Sequence, residues 1–234
     1  MNKKTALITG GASGIGYAIA KKYSDQGVHV VIADLDAEAG GQAAESLPNC
    51  LFLQADVSKE SQIHSMVDQA YDHAGRIDIL VNNAGVAKHM KSFDIPAENW
   101  EFCVGLMLSG VFYCTQSVGR RMASSGGGNI VNIASMNGLI SLPGRLVYSC
   151  CKAAVLSMTK TLAAEWASDK IRVNAVSPGV TLTKMAEKAM ASGISNRDAY
   201  LSRIPVGRLA QPEEVANACS FLTSDAAGYI TGHN

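Results

Sequence analysis

Charge is scarce in this sequence, and neither sign is in excess. Asp, Glu, Lys and Arg make up 17% of the 234 residues, and 20 basic side chains balance 20 acidic ones. Proteins that bind nucleic acid or an anionic membrane surface carry a basic excess, so we expect neither as a partner. The charged share is below the roughly 25% of an average soluble domain, which indicates that much surface is buried, in a wide sheet or between subunits.

Metal-binding and disulfide patterns are also missing. The six cysteines and five histidines include no C-x-x-C and no H-x-x-x-H spacing, the patterns typical of redox pairs and zinc sites. A chain of this length buries a core without disulfides. We therefore expect no metal site and six reduced, mostly buried thiols, with Cys150 and Cys151 as small packing residues.

Long apolar runs do not stand out either. We find no apolar stretch that approaches the roughly 18 residues of a membrane-spanning helix. The segment before Gly10 is too short for the apolar core of a signal peptide. These absences predict a soluble, cytoplasmic protein.

Short apolar runs alternate with longer amphipathic segments along the chain. Continuous Val, Ile and Leu runs indicate strands covered on both faces, and helical connections imply parallel pairing. The predicted strands are 5–9, 28–33, 50–55, 77–82, 129–134 and 171–177, and the predicted helices are 14–26, 36–46, 60–74, 98–123, 147–168, 183–192 and 212–223. The pattern predicts an α/β fold, a three-layer, doubly wound parallel sheet (Rossmann fold) in a single domain, 1–234.

A glycine-rich loop follows the first predicted strand and opens the first helix. Gly10, Gly14 and Gly16 let the backbone turn sharply and approach an anion, which the N-terminus of the helix attracts. Ser13 and Ile15 stand between these glycines. The spacing G-x-x-x-G-x-G differs from the general G-x-G-x-x-G pattern, but its position favours a site for a phosphate-bearing ligand over an ordinary turn.

An acidic residue, Asp34, ends the second predicted strand, and Leu35 follows it. A carboxylate at this position accepts hydrogen bonds from a ribose 2′-hydroxyl and repels a 2′-phosphate. Because Leu35 brings no cation to offset that repulsion, the pattern predicts NAD rather than NADP as the cofactor.

Tyr148 and Lys152 lie four positions apart on a predicted helix, so they project from the same face. The pKa of a free phenol, about 10, must fall for proton exchange near neutral pH. A neighbouring ammonium and a nicotinamide cation together can lower it. Ser135 ends the fifth predicted strand, at the edge where ligands bind in sheets of this kind.

Together these residues resemble the motifs of the short-chain dehydrogenase/reductase family, and the resemblance runs from residue 4 to 234. It rests on the T-G-x-x-x-G-x-G loop at 9–16, Asp56-Val57, Asn82-Asn83-Ala84-Gly85, Ser135, the Tyr-x-x-x-Lys motif at 148–152 and Pro178-Gly179, in that order. The resemblance implies hydride transfer between nicotinamide and a secondary alcohol or ketone. It also implies that Tyr148 is the general acid/base, that Lys152 lowers its pKa and holds the nicotinamide ribose, and that Ser135 hydrogen-bonds the substrate oxygen.

The resemblance further assigns cofactor contacts. Asp56 and Val57 would flank the adenine, Asn83 the adjacent ribose, and the segment 178–183 the nicotinamide carboxamide. The cofactor-binding residues expected from the loop and the resemblance together are Gly10, Ser13, Gly14, Ile15, Gly16, Asp34, Asp56, Val57, Asn83, Gly85, Tyr148, Lys152, Pro178, Gly179, Thr181 and Thr183.

One position departs from the family's pattern. The frame W-x-x-x-x-x-x-N-x-x-G-x-F is kept from Trp100 to Phe112, but Met107 replaces the Asn, which in the family is thought to bend the helix and relay the proton from the Lys. A thioether donates no hydrogen bond. Three interpretations stay open: another group, or water on the carbonyl of residue 107, completes the relay; turnover is slow; or the protein binds the cofactor with little catalysis. We favour an active enzyme because all three expected catalytic residues are present.

The substrate is less well defined by the sequence. The family pattern places Met136, Leu142 and the segment 183–203 around it, and the candidate pocket residues are Ser135, Asn137, His89 and Met185. Asn137 can bind a second hydroxyl of a sugar or polyol, although a strand-end Asn that caps a turn is as common. We predict a small polar secondary alcohol, such as a polyol or sugar. The alternatives are a 3-oxoacyl thioester, which the NAD preference disfavours, and an NAD-sensing protein of weak activity.

The resemblance also implies a homotetramer, or a homodimer, built through the helices 98–123 and 147–168. Val111, Val118, Met122, Val155 and Met158 are the expected contacts, with ordinary core packing of the same residues as the alternative. Members of the family continue beyond Thr231-Gly232 into a last strand. We therefore expect that this strand is not included in the chain or is absent from the protein.

Overall fold

The six predicted apolar runs form one parallel sheet in the computed structural model, which describes residues 4–140, 142–193 and 196–234. The strands are β1 (Thr5–Thr9), β2 (His29–Asp34), β3 (Cys50–Gln54), β4 (Ile79–Asn82), β5 (Gly128–Ile133) and β6 (Ile171–Val176). Their order is β3-β2-β1-β4-β5-β6, and every pairing is parallel. Because the winding direction reverses between β1 and β4, a crevice opens beyond their carboxyl ends, where such sheets bind ligands. The predicted doubly wound fold is confirmed.

Helices connect the strands and cover both faces of the sheet. Among the described residues they are α1 (Gly14–Asp25), α2 (Ala37–Glu45), α3 (Glu60–Ala74), α4 (Ala97–Val104), α5 (Gly110–Ser124), α6 (Leu146–Trp166), α7 (Lys184–Ala191), α8 (Arg197–Leu201) and α9 (Pro212–Leu222). The helix predicted at 98–123 is divided by a π-helical turn, Gly105–Ser109, which separates α4 from α5. The prediction also missed α8, because five residues are too few to show an amphipathic pattern.

The core has two halves because each strand buries alternate side chains on opposite faces of the sheet. On one face Leu7, Leu80 and Ile130 pack with residues of α3 and α5. On the other face Ile8 and Val81 pack with residues of α1 and α9. All five are fully buried, and a buried aliphatic side chain of this size contributes about 1.5–3 kcal/mol. The two faces together explain why consecutive positions in the middle of the strands are apolar.

The apolar residues expected at subunit contacts lie mainly in the core. Val118 and Met122 are fully buried in the half that contains α3 and α5, and Val111 and Val155 are also buried. Met158 packs against the same half and is partly buried. The expectation is wrong for the four buried residues because they occupy the helix faces that pack inside the molecule. The exposed apolar side chains of these helices include Trp100, Phe102, Phe112 and Leu146.

One helical segment in the described part of the chain, Ala97–Ser124, is long and apolar enough to cross a membrane by length and composition alone. The sequence interpretation overlooked it because Ser, Thr and Gly interrupt its apolar residues while adding no charge. Core helices pass the same test, and the α5 part of this segment packs against the sheet. The segment is therefore weak evidence for a membrane span.

The six cysteines are free thiols. Four are buried and Cys50 is half-buried, as predicted, whereas Cys150 is exposed. The expected packing role of Cys150 is wrong because its position on α6 faces solvent. Within residues 4–140, 142–193 and 196–234, no group of three or more His, Cys, Asp or Glu side chains could hold a metal ion.

The last residues of the chain pair with the edge of β6. The N–H of Gly232 donates to the carbonyl of Val173 (2.8 Å), and the N–H of Ala175 donates to the carbonyl of His233 (2.8 Å). Residues 232–233 thus run beside β6.

Candidate active site

Two glycines of the loop after β1 adopt a backbone conformation that favours glycine. The angle φ is 63° at Gly10 and 55° at Gly14, in the left-handed region. A Cβ on Gly16 would lie 2.0 Å from the carbonyl oxygen of Gly10, so this position excludes a side chain. Gly14 begins α1, and a Cβ placed on it would lie 3.4 Å from Thr183 Cγ2. The loop is a backbone cradle at the N-terminus of α1, with Thr183 opposite, and it fits a pyrophosphate.

The two residues between these glycines differ in their surroundings. Ser13 is the N-cap residue of α1, but its side chain makes no capping hydrogen bond. Ile15 packs partly buried against the core half that contains α1 and α9. The hydroxyl of Ser13 is thus not used to cap the helix that it precedes.

Side chains at the ends of β1 and β4 hold the loop in place. Asn83 Nδ2 donates to the carbonyls of Gly10 (2.8 Å) and Thr9 (3.1 Å). Thr9 Oγ1 accepts from the N–H groups of Asn83 (3.1 Å) and Ala84 (3.2 Å). These bonds fix Asn83 beside the glycine loop, and its contact with a ribose stays a prediction.

Asp34 ends β2 beside the same loop. Its Oδ2 accepts from the N–H of Ala12 (3.0 Å), and its Oδ1 accepts from the N–H of Asp36 (3.2 Å). The carboxylate is half-buried, and no Lys or Arg forms an ion pair with it in the part of the chain that the structure describes. Each carboxylate oxygen has a second lone pair, so the group can still accept from a ribose hydroxyl.

The remaining residues expected at the cofactor lie along the same edge of the sheet. Asp56 follows β3, where its Oδ1 accepts from the N–H of Ser58 (2.9 Å), and Val57 is buried. Beyond β6, the carbonyl of Pro178 accepts from the N–H of Met136 (3.1 Å). This bond joins the segment after β6 to the residue that follows Ser135.

The segment continues to Thr183 with its own hydrogen bonds. Thr181 Oγ1 donates to the carbonyl of Gly179 (3.3 Å), and Thr181 forms an isolated parallel bridge with Ala210. Thr183 Oγ1 accepts from the N–H of Ala186 (3.2 Å) and so caps α7. The cap fixes Thr183 at the helix end that faces Gly14.

Ser135, Tyr148 and Lys152 come from the end of β5 and the first two turns of α6. Ser135 Oγ accepts from the N–H of Asn137 (3.2 Å), and the Ser135 side chain acts to lower the pKa of the neighbouring Tyr148. Lys152 Nζ lies 5.8 Å from the centroid of the Tyr148 ring and donates to the carbonyl of Ile133 (2.6 Å). The structure brings these three residues together.

Burial dominates the pKa values of the two titratable groups. It raises the pKa of Tyr148 above its ordinary value, while the Ser135 side chain and the charge of Arg145 act in the opposite direction. Burial also lowers the pKa of Lys152 to about 8. In the cofactor-free protein, desolvation of the phenolate outweighs the neighbouring groups, so the lowering of the Tyr148 pKa that was expected with a nicotinamide cation stays a prediction. A bound nicotinamide cation supplies the further positive charge on which that expectation depended.

Met107 lies in the π-helical turn and is fully buried. It packs with Cys103 and Cys151 in an apolar cluster that also contacts Tyr148. The predicted cofactor residue Gly85 is close to it, since a Cβ on Gly85 would lie 3.5 Å from Met107 Sδ. The irregular turn in this helix therefore forms without the family's Asn, and apolar contacts surround the side chain at that position.

A cavity of about 400 Å³ adjoins the residue after Ser135. Its apolar wall is formed by Met136, Ile140, Leu142, Val180, Ile204 and Val206. The wall includes the predicted Met136 and Leu142, but His89, Asn137 and Met185 do not line this cavity. Met185 is 57% exposed because it lies on the outer side of α7. Residues 194–195 of the predicted pocket segment 183–203 lie outside the described residues.

Two predicted pocket residues carry buried polar atoms without a hydrogen-bond partner in the described part of the chain. These atoms are Asn137 Oδ1 and His89 Nε2. Asn137 is 4% exposed. Burial, and to a lesser extent the charge of Arg145, lowers the pKa of His89. Leaving a buried polar atom unpaired destabilises a protein by roughly 1–3 kcal/mol. A ligand that forms a hydrogen bond with either atom would remove that cost.

The sequence interpretation missed a buried polar chain beneath the site. Asn82 Nδ2 donates to Asn132 Oδ1 (2.9 Å), and Asn132 Nδ2 donates to Thr159 Oγ1 (2.9 Å). The chain ties β4 and β5 to α6, the helix that carries Tyr148. Polar residues inside otherwise apolar strands were the available signal. The interpretation also missed Arg145, because no sequence pattern links it to Tyr200, its hydrogen-bond partner.

Comparison with known proteins identifies the family. A sequence model described as "Enoyl-(Acyl carrier protein) reductase" matches residues 10–234. The chain is 44% identical over 232 residues to the NAD-dependent glycerol dehydrogenase of Listeria innocua, covering 99% of this chain and 91% of that protein. It is 39% identical over 236 residues to the D-threitol dehydrogenase of Mycolicibacterium smegmatis, covering 99% and 90%.

A solved structure gives the same assignment. The 3-ketoacyl-(acyl-carrier-protein) reductase from Brucella melitensis, crystallised with NADH, has a TM-score of 0.92 and 34% identity, covering 98% of this chain and 94% of that one. The fold, the order of the motifs along it and these similarities agree. The chain belongs to the short-chain dehydrogenase/reductase family of nicotinamide-dependent oxidoreductases.

Proposed function

We propose that this protein is an NAD-dependent dehydrogenase of small polyols, which oxidises a secondary alcohol group of the substrate. The observation that carries the proposal is the buried Oδ1 of Asn137, two residues after Ser135, which has no hydrogen-bond partner among the described residues. An acceptor in this position suits the hydroxyl group next to the reacting carbon. A monoalcohol would leave the atom unpaired, at a cost of roughly 1–3 kcal/mol.

In the oxidation direction Tyr148 takes the proton of the reacting hydroxyl, and Ser135 donates a hydrogen bond to the oxygen that becomes a carbonyl. A nicotinamide cofactor held by the loop at 9–16 and by Lys152 would supply the acceptor for the hydride of the same carbon. Lys152, held by the carbonyl of Ile133, stays beside the phenol ring throughout. The protein thus supplies orientation and a proton acceptor.

The cofactor residues named from the sequence are part of the proposal. The backbone of the loop at 9–16 and the N-terminus of α1 would hold the pyrophosphate. Asp34 would select NAD, because a half-buried carboxylate without an ion-pair partner among the described residues repels a 2′-phosphate.

A second candidate is reduction of a 3-oxoacyl thioester. The apolar cavity of about 400 Å³ favours it, since a polyol has no apolar chain to place against Ile140, Val180 and Ile204. Asp34 disfavours it if the reductant is NADPH. A weakly active NAD-binding protein is the third candidate, and it rests on Met107.

The test compares kcat/KM for NAD reduction with glycerol and threitol, and for NADPH oxidation with a 3-oxoacyl thioester. We expect polyol oxidation with NAD to be the most efficient reaction. A higher kcat/KM for the thioester with NADPH would replace the proposal with the second candidate. Tight NADH binding without turnover of any of these substrates would replace it with the third.

Asn137→Ala separates the role of Asn137 from the rest of the site. We expect the KM for the polyol to rise about 2- to 10-fold, the value of one hydrogen bond. The KM for 2-propanol, which lacks a second hydroxyl, should not change. An equal rise for both alcohols would show that Asn137 acts only on the shape of the turn.

A further inference from the structure

Arg145 immediately precedes α6 and lies three residues before Tyr148. Its Nη2 donates to the hydroxyl of Tyr200 (2.8 Å), which lies in α8. The start of α6, the helix that carries Tyr148 and Lys152, is thus tied to α8 by a bond between residues 55 positions apart in the chain. Tyr200 also lines the cavity beside Met136, so the bond forms at the edge of this cavity.

The guanidinium forms no ion pair with an Asp or Glu in the ranges 4–140, 142–193 and 196–234. Arg145 is the residue before the first turn of α6, which holds Tyr148, and its charge acts to lower the pKa of Tyr148 and of His89, although burial is the larger cause for both and raises the pKa of Tyr148. Tyr200, its hydrogen-bond partner, offers a hydroxyl and therefore leaves the positive charge uncompensated.

The other groups around Tyr148 do not supply a comparable charge. Ser135 is neutral, and the thiols of Cys103 and Cys151 lie in the apolar cluster with raised pKa values, so they are protonated near neutral pH. Lys152 is cationic at low pH, but burial lowers its pKa to about 8, so its charge is lost as the pH rises above that value. An arginine keeps its charge throughout this range.

We propose that Arg145 is a positioning residue of the reaction: docked by Tyr200, it keeps a permanent positive charge beside the phenol that takes the substrate proton. The inference rests on the proposed function for the identity of that proton transfer. The proposal implies that α8, which borders the cavity, influences the proton affinity of Tyr148 through Arg145.

The experiment uses Arg145→Met, Arg145→Lys and Tyr200→Phe. One readout is the pH profile of kcat/KM for polyol oxidation. The other is an ultraviolet titration of Tyr148, taken as the difference between each protein and the same protein with Tyr148→Phe. The titration requires no substrate, so it remains informative if no polyol is oxidised and the proposed function fails.

In Arg145→Met we expect the apparent pKa of Tyr148 to rise by roughly one pH unit, in both readouts, since a positive charge nearby favours the phenolate. On the acid side of the profile this lowers kcat/KM about tenfold. Arg145→Lys should restore most of the shift, and Tyr200→Phe should shift the pKa by less than Arg145→Met because the charge remains.

The result that would overturn the proposal is an unchanged titration and profile in Arg145→Met. If that variant does not fold, the comparison of Arg145→Lys with Arg145→Gln decides: equal apparent pKa values in these two proteins would equally contradict a role for the charge.

Discussion

At the scale of single residues, Asp34 joins a structural role to a proposed selective one. The carboxylate accepts hydrogen bonds from the N–H groups of Ala12 in the glycine loop and of Asp36 after β2. A group fixed from two sides cannot swing away from a 2′-phosphate. The same bonds that shape the loop therefore enforce the proposed preference for NAD.

We expect Asp34→Ala to raise the ratio of kcat/KM with NADP to kcat/KM with NAD at least about tenfold, because one like-charge contact is removed. Steady-state kinetics with both cofactors measures the ratio. Asp36→Ala is the matched control: Asp36 Oδ1 accepts from the N–H of Ala39 (3.0 Å) and caps α2. This control should lose about 1 kcal/mol of stability and keep the ratio. An unchanged ratio in Asp34→Ala would remove Asp34 from cofactor selection.

Lys152 is a second residue with a proposed catalytic role, and its burial lowers the stability of the folded protein. The side chain is 4% exposed, and burial lowers its pKa from 10.5 to about 8. Below pH 8 the lysine is charged in the folded and the unfolded chain, so the folded state bears the full cost of burying the charge. Between about pH 8 and 10.5 only the unfolded chain keeps the proton, and stability rises with pH.

We therefore expect Lys152→Met to increase the free energy of unfolding at pH 7 by about 1–3 kcal/mol while abolishing turnover. The gain should shrink between pH 8 and 10.5 and vanish above that range. Urea unfolding of the cofactor-free protein at several pH values measures it. A variant that is less stable than the parent at pH 7 would show that the bond to Ile133 outweighs the cost of burial.

At the scale of elements, the π-helical turn between α4 and α5 is retained although Met107 replaces the family's Asn. Met107 is fully buried among thiols and aliphatic groups, and the turn is retained. Close packing after the turn contributes to this, since a Cβ on Gly110, the first residue of α5, would lie 2.3 Å from the carbonyl of Val57. The position of the turn thus depends on its surroundings as well as on the side chain at 107.

We expect Met107→Asn to lower the free energy of unfolding by about 1–3 kcal/mol, because an amide would be buried in an apolar cluster, and to leave kcat no higher than in the parent. Met107→Leu, which conserves volume, should cost less than about 1.5 kcal/mol. Urea unfolding and initial rates test both variants. A higher kcat in Met107→Asn would mean that the proton relay needs the amide after all.

Strands and long helices were predictable because buried parallel strands require continuous apolar runs and covering helices require one apolar face. Leu7 and Ile8 show the principle, since neighbouring residues enter opposite halves of the core. The π-helical turn was not predictable from these patterns, because it keeps the same helical periodicity on either side. The short α8 was missed for want of length.

The site was predictable to the extent that its residues adjoin strand ends and helix starts. Ser135, Tyr148 and the glycine loop were found in this way. Tyr200 lies in the predicted pocket segment 183–203, but Arg145 and its bond to Tyr200 were not found, because that bond joins two segments whose distance in space depends on the whole fold. The raised pKa of Tyr148 in the cofactor-free protein was not predictable either, since burial is a property of the assembled protein.

At the scale of the molecule, low charge and exposed aromatic side chains still favour assembly into the predicted oligomer. The residues first named for the contacts are mostly core residues, but Phe102 (43% exposed) and Phe112 (38% exposed) lie near the π-helical turn. Burial of such side chains between subunits would remove apolar surface from water.

We expect light scattering coupled to size exclusion to give four times the 24.6 kDa mass of the chain. Phe112→Glu should lower the mass because it places a charge in the contact, whereas Phe93→Glu, at a fully exposed position in the segment before α4, should not. A parent protein that remains monomeric at high concentration would contradict the predicted assembly.

The central claim is that this family member transfers a hydride with Tyr148 as the proton acceptor. Tyr148→Phe tests it most directly, with NAD reduction by a polyol and NADH binding by fluorescence measured on the same protein. We expect turnover to be abolished and the dissociation constant of NADH to stay within about twofold, since the variant removes one hydroxyl and keeps the ring. Turnover close to that of the parent, with NADH bound equally well, would contradict the assignment of Tyr148.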